Sequence, residues 1–217
     1  MQDKPASVQK RIIRDLTASL KPVTPLPSVP VLAAGFVAAF LALVVLLIAM
    51  TDTAGLRAMN ATQLIAVTAA LAAGATLVSV FLVWEMIPGS RRFFSTPVAI
   101  LTAVIGPALA IAILFPWHAS AEFITEGWPC TLMGLKIAAV AAVLAGLAVW
   151  RGAVTSKFEA ITGIGAFAGT LAVTVLQFQC PHQQAPHLLV WHLGSLGVAI
   201  LTGIVIGWMT TIPQRSA

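Results

Sequence analysis

Two cysteines and four histidines carry the only side chains here suited to both thiol redox chemistry and soft-metal ligation. Cys130 follows Pro129, and Cys180 precedes Pro181; His182, His187 and His192 come soon after Cys180, while His118 stands apart. A disulfide between Cys130 and Cys180 needs an oxidising compartment and Cα atoms within about 7 Å. Their matching proline neighbours favour that pairing. Metal ligation would draw on Cys180, His182 and His187, because thiolate and imidazole suit zinc or copper. Spacing argues against it: on an α-helix, His187 and His192 are separated by about 140°, and no C-x-x-C or H-E-x-x-H pattern is present. A third reading is two unrelated buried thiols, since free cysteine packs as a small hydrophobe. All three readings stay open on spacing alone. His118 reads as an interfacial polar residue.

The elements that position these residues must cross a membrane. Of 217 residues, 59% are hydrophobic and 9% charged, against about 45–50% and about 25% in soluble domains. That balance excludes a soluble enzyme or a DNA-binding module. Six apolar runs are long enough for a bilayer, which needs about 20 residues each: 31–50, 63–87, 97–116, 131–150, 160–178 and 188–210. They lack the alternation of barrel strands, so the fold class is all-α, a polytopic bundle of six transmembrane helices. Trp84, Trp117, Trp128, Trp150, Trp191 and Trp208 cluster at or near the run ends, as in an aromatic belt. No A-x-A-like site closely follows the first run, so it is expected to be retained.

Ten of the twelve Lys and Arg residues fall on one side: Lys4, Lys10, Arg11, Arg14, Lys21, Arg91, Arg92, Arg151, Lys157 and Arg215. Only Arg57 and Lys136 fall on the other, and Lys136 can snorkel to the headgroups. The positive-inside rule then makes both termini cytoplasmic. The loops holding Cys130 and Cys180 face outward, so the reactive side chains gather on one face.

Residues 1–21 form a cytoplasmic segment, 22–30 a spacer, 31–210 the bundle and 211–217 a tail. Between Ser7 and Leu20, Val8, Ile12, Leu16 and Leu20 recur at helical spacing with Ile13 beside them, an amphipathic stripe. Ser7 suits the N-cap, and Pro22 ends the helix at Lys21. Pro22, Pro25, Pro27 and Pro30 make a stiff extended spacer. So short a helix needs a surface for its stripe. Two are open: anionic headgroups or a groove on a protein partner. The standoff favours the protein.

No mid-membrane charge marks a transport path, and Glu85 reads as an interfacial charge within reach of Arg91 and Arg92. Gly163 to Gly169 is glycine-rich but follows no strand, so it is no phosphate loop. Gly165 with Gly169, and Gly203 with Gly207, allow close helix contact. No catalytic constellation and no cofactor signature emerge. A small transporter or channel handling a metal or small solute at the outer Cys/His face is the alternative from another class. A thiol oxidoreductase would want two cysteines close in sequence.

Together these residues resemble the NrsF-type membrane anti-sigma factors. The resemblance rests on Asp15 to Pro27 (DLTASLKPVTPLP), on Cys130 before the fourth span, and on Cys180-Pro181 with Val190-Trp191-His192 opening the sixth. It covers nearly the whole chain, and its specificity lies in the order of short motifs. It implies a six-span protein of the bacterial inner membrane that holds an extracytoplasmic-function (ECF) sigma factor inactive, without catalysis or direct nucleic-acid binding. It assigns sensing of oxidative or metal stress to Cys130 and Cys180, and sigma binding to the segment carrying Ile12, Ile13, Leu16 and Leu20. The implied partners are the sigma factor and the lipid bilayer.

Overall fold

A computed structural model describes residues 27–90 and 92–211, with Lys10, Arg14 and Thr17. Ile12, Ile13, Leu16 and Leu20 lie outside the described residues, as does Arg91. Lys10, Arg14 and Thr17 are helical and exposed, and the Thr17 hydroxyl donates to the Arg14 carbonyl at 3.0 Å. The described residues contain no strand. Six helices are long and apolar enough to span a membrane: α1 (Val29–Ala49), α3 (Ala61–Met86), α4 (Thr96–Leu114), α5 (Phe123–Val149), α6 (Lys157–Gln179) and α7 (Ala185–Thr211). A five-residue helix, α2 (Ala54–Ala58), fills the first connection.

Local chemistry sets the helix starts. Asn60 and Gln63 form a reciprocal capping box on α3. Proline lies in the first turn of α1 and of α4, where no intrahelical donor is needed. The Ser156 hydroxyl accepts from Glu159 N to open α6.

Helix α6 is the hub, with 83% of its apolar window buried inside the protein, whereas α1 buries 11% and lies at the periphery. The closest pairing joins α6 to α7 through small residues. A Cβ on Gly165 would meet the Ala199 carbonyl at 2.5 Å, and one on Gly203 would meet the Ile161 carbonyl at 2.8 Å. Without hydrophobic force between helices in lipid, such backbone approach supplies the packing.

One boundary and one burial differ from the sequence expectation. The fourth span begins at Phe123 and runs through Pro129, so Cys130 lies inside a helix and not in a loop. Pro129 is the seventh residue of that helix, so the helix runs on through it without an amide there to donate to the Thr125 carbonyl. The second difference is Glu85, which is fully buried and not interfacial. It pairs with Arg92 at 2.7 Å and accepts from the Thr155 hydroxyl at 3.0 Å, while Arg92 also pairs with Glu159. Ala153 N and Thr155 N donate to the carbonyls of Met86 and Glu85, stitching the fourth connection to the end of α3.

The chain alternates direction, so one bundle end holds Glu85, Arg92 and Glu159, and the other holds Cys180. The Gln179 amide donates to the Thr51 hydroxyl just after α1, and Gly207 near the end of α7 packs on Phe158 at the start of α6. Both ends of the spanning bundle therefore emerge beside Arg92, away from the cysteines.

Candidate functional site

Three chain segments converge at the cysteine end. Helix α5 brings Cys130, the C-cap of α6 brings Cys180, and the start of α7 brings His187 and His192. One ligand atom from each of these four residues lies within 4.8 Å of the other three. The two Sγ atoms are 3.6 Å apart, and Cys180 Sγ lies 3.4 Å from His187 Nε2. Both thiols are free. Cys180, His187 and His192 are buried, while Cys130 is half-buried.

A π-helical turn over Leu188–His192 joins the histidines. Leu193 N bonds the Leu188 carbonyl, five residues back, which adds one residue to the turn. The 140° separation of an α-helix is thereby reduced, and the rings of His187 and His192 meet edge to face with centroids 5.4 Å apart. The α-helical arithmetic that set these residues on different faces fails here.

Neighbouring contacts hold the turn against α5. The Thr131 hydroxyl donates to the Trp191 carbonyl at 3.0 Å, and the Ser195 hydroxyl to the His192 carbonyl at 2.6 Å. Gly127 lies beneath the Trp191 indole so closely that a Cβ would overlap the ring. Phe123 packs on the same indole with ring centroids 5.4 Å apart.

The Cys180 backbone is held from the opposite side. Gln183 donates to the Cys180 carbonyl at 2.7 Å, and Gln177 donates to Gln183 Oε1 at 2.8 Å. Gly55 of α2 caps the end of α6, and a Cβ there would lie 2.6 Å from the Cys180 carbonyl oxygen. The Cys180 thiol is pushed up from its ordinary pKa, first by its hydrogen bond with Cys130 and then by burial.

Of the residues singled out by sequence, Cys130, Cys180 and His187 come together. His182 lies beside the cluster: its ring is 5.3 Å from that of His187, and its Nδ1 is 3.6 Å from Glu126 Oε2. His192 takes the fourth place in the cluster. Neither of its ring nitrogens has a hydrogen-bond partner among the described residues, and His187 Nδ1 also has none. His118 is exposed and is not one of the four. Chemically, the site can form a disulfide or bind a soft cation.

A family model described as "NrsF: Negative regulator of sigma F" matches residues 16–211. No curated protein and no solved structure matches the chain.

Proposed function

The chain belongs to the NrsF family of negative regulators of a sigma factor, and from that premise we propose an anti-sigma factor of the bacterial inner membrane with both termini cytoplasmic. The amino-terminal segment, through Ile12, Ile13, Leu16 and Leu20, holds an ECF sigma factor by helix-in-groove contact. Release follows a change at Cys130 and Cys180, by oxidation or by metal capture, on the periplasmic face. The 10-to-2 distribution of Lys and Arg supports this orientation.

One observation carries the reading. A family of sigma regulators here carries two free thiols 3.6 Å apart at the bundle end away from both ends of the spanning region. Such an arrangement suits input on one membrane face and output on the other. Sequestration needs no bond making, so no catalytic residue is assigned.

The test is copurification from native membranes in mild detergent, with a chain lacking residues 1–21 run beside the full chain. A sigma factor should accompany the full chain and be lost with the truncation. Recovery of the same sigma factor with both would move the binding surface to the inner loops. Its absence from unstressed cells that express one would remove the anti-sigma reading.

A further inference from the structure

We propose that Cys130, Cys180, His187 and His192 form one four-coordinate site for a divalent thiophilic cation of the zinc class. The proposal deepens the sensing part of the function above and rests on it for its biological role, though not for its chemistry.

Donor geometry is the first support. A tetrahedral ion with bonds of about 2.3 Å to sulfur and about 2.0–2.1 Å to nitrogen has sulfurs about 3.8 Å apart and sulfur–nitrogen edges about 3.6 Å long. The corresponding separations here are 3.6 Å and 3.4 Å. Two edges of the tetrahedron are thus already near their ion-bound lengths, and all four ligand atoms lie within 4.8 Å of one another.

The second support is the unspent polar capacity of the imidazoles. His192 is wholly buried, yet both of its ring nitrogens lack a hydrogen-bond partner among the described residues. Buried polar groups are ordinarily satisfied, and each exception asks for a reason. A coordinate bond from one His192 nitrogen supplies that reason, and His187 joins through the nitrogen already facing Cys180. The π-turn that aligns the two rings is itself a costly irregularity of a kind concentrated at functional sites.

Charge selects the class of ion. Two thiolates and two neutral imidazoles around a divalent cation sum to zero, which suits a site whose histidines are buried. Binding is M²⁺ plus two thiols and two imidazoles giving M(S)₂(N)₂ plus two protons released to solvent, with no change of oxidation state. Thiolate and imidazole donors exclude the hard cations magnesium and calcium. The ion draws on the same two sulfurs that a disulfide would join, so metal capture and oxidation compete.

The test uses full-length protein in detergent, reduced and stripped with chelator under anaerobic conditions, then titrated with zinc chloride and in parallel with cobalt chloride. One equivalent should bind, with about two protons released per ion. Cobalt should show the intense visible bands of a tetrahedral thiolate site. X-ray absorption at the zinc edge on the unaltered chain should find two sulfur and two nitrogen neighbours, near about 2.3 Å and about 2.0–2.1 Å. His187→Gln and His192→Gln should each weaken zinc by more than the about 10–100-fold that follows loss of an outer-shell partner. A spectrum with sulfur but no histidine ligands, or failure to bind one equivalent, overturns the site. The absorption measurement needs no variant, so a misfolded substitution leaves the question decidable. Probing the stripped preparation for sigma factor before any zinc is added separates the two readings: sigma present on a chain that then binds no zinc defeats the site alone, and a chain that binds zinc but carried no sigma beforehand defeats the anti-sigma function alone.

Discussion

At the scale of single residues, proximity sets the thiol chemistry. With Sγ atoms 3.6 Å apart, diamide should oxidise Cys130 and Cys180 to an intramolecular disulfide, taking up two electrons and two protons as it becomes the hydrazine. The free-thiol count should fall to zero with no dimer on a non-reducing gel, and zinc added beforehand should slow the reaction. A disulfide-linked dimer as the main product would contradict the close intrachain pair. The raised pKa of Cys180 has its own signature. Alkylation requires thiolate, so a thiol whose pKa is pushed up reacts at higher pH than an ordinary cysteine. Peptide mass spectrometry across a pH series should show Cys180 alkylation rising at higher pH than that of an ordinary cysteine, and a midpoint near the ordinary value would refute the shift. The two cysteines were legible as candidates because each sits beside a proline on the same predicted face. His192 was not placed in the ligand set, because an i→i+5 turn has no side-chain period to read and the α-helical angle argued the reverse.

At the scale of elements, two contacts decide whether the site and the opposite end keep their shape. Gly127 leaves room for the Trp191 indole, which lies within the π-turn. Gly127→Val should push the indole away at about 1–3 kcal/mol of overpacking cost, change tryptophan emission and weaken zinc binding. Unchanged zinc affinity would separate the turn from the ligand geometry. At the far end, Arg92 neutralises the fully buried Glu85 while remaining partly exposed. Removing one partner of a buried pair costs about 3–5 kcal/mol, and Arg92's exposure to solvent reduces that here to about 1–3 kcal/mol. Arg92→Ala should therefore lower the melting temperature, and adding Glu85→Gln should recover part of the loss, as a double-mutant cycle would read. Additive losses would mean that the pair does not act as a unit. Glu85 read as interfacial because Thr155 and Glu159, which help bury and hold it, are far away in sequence. The apolar runs, by contrast, revealed the six spans without tertiary information. The Pro129 boundary misled because proline reads as a helix breaker, whereas α5 begins at Phe123 and continues through it.

At the scale of the whole molecule, the two ends are joined by α6, which runs from the Glu159–Arg92 pair to Cys180 and is buried along most of its length. A shift of its C-cap is passed to the helices packed around it, foremost α7, which meets it backbone to backbone at Gly165 and Gly203. Both contacts are too close for a Cβ, so the pair moves together or separates. Coupling through such a unit is bounded by what the signal can supply. Moving sigma from 99:1 bound to 1:99 would need about 5.5 kcal/mol of differential binding, whereas single effectors typically contribute about 1–3 kcal/mol, or about 5–150-fold. The proposed function therefore predicts graded release, with partial occupancy of sigma at saturating signal. Linkage also demands reciprocity: if zinc weakens sigma binding by some factor, bound sigma must weaken zinc by the same factor. Titrating zinc into the purified protein with and without saturating sigma factor should give dissociation constants differing by about 5–150-fold, matched by the change in sigma affinity at saturating zinc. Equal zinc affinities in the two states, with sigma demonstrably bound, would disconnect the cluster from sigma binding and leave it a structural metal site.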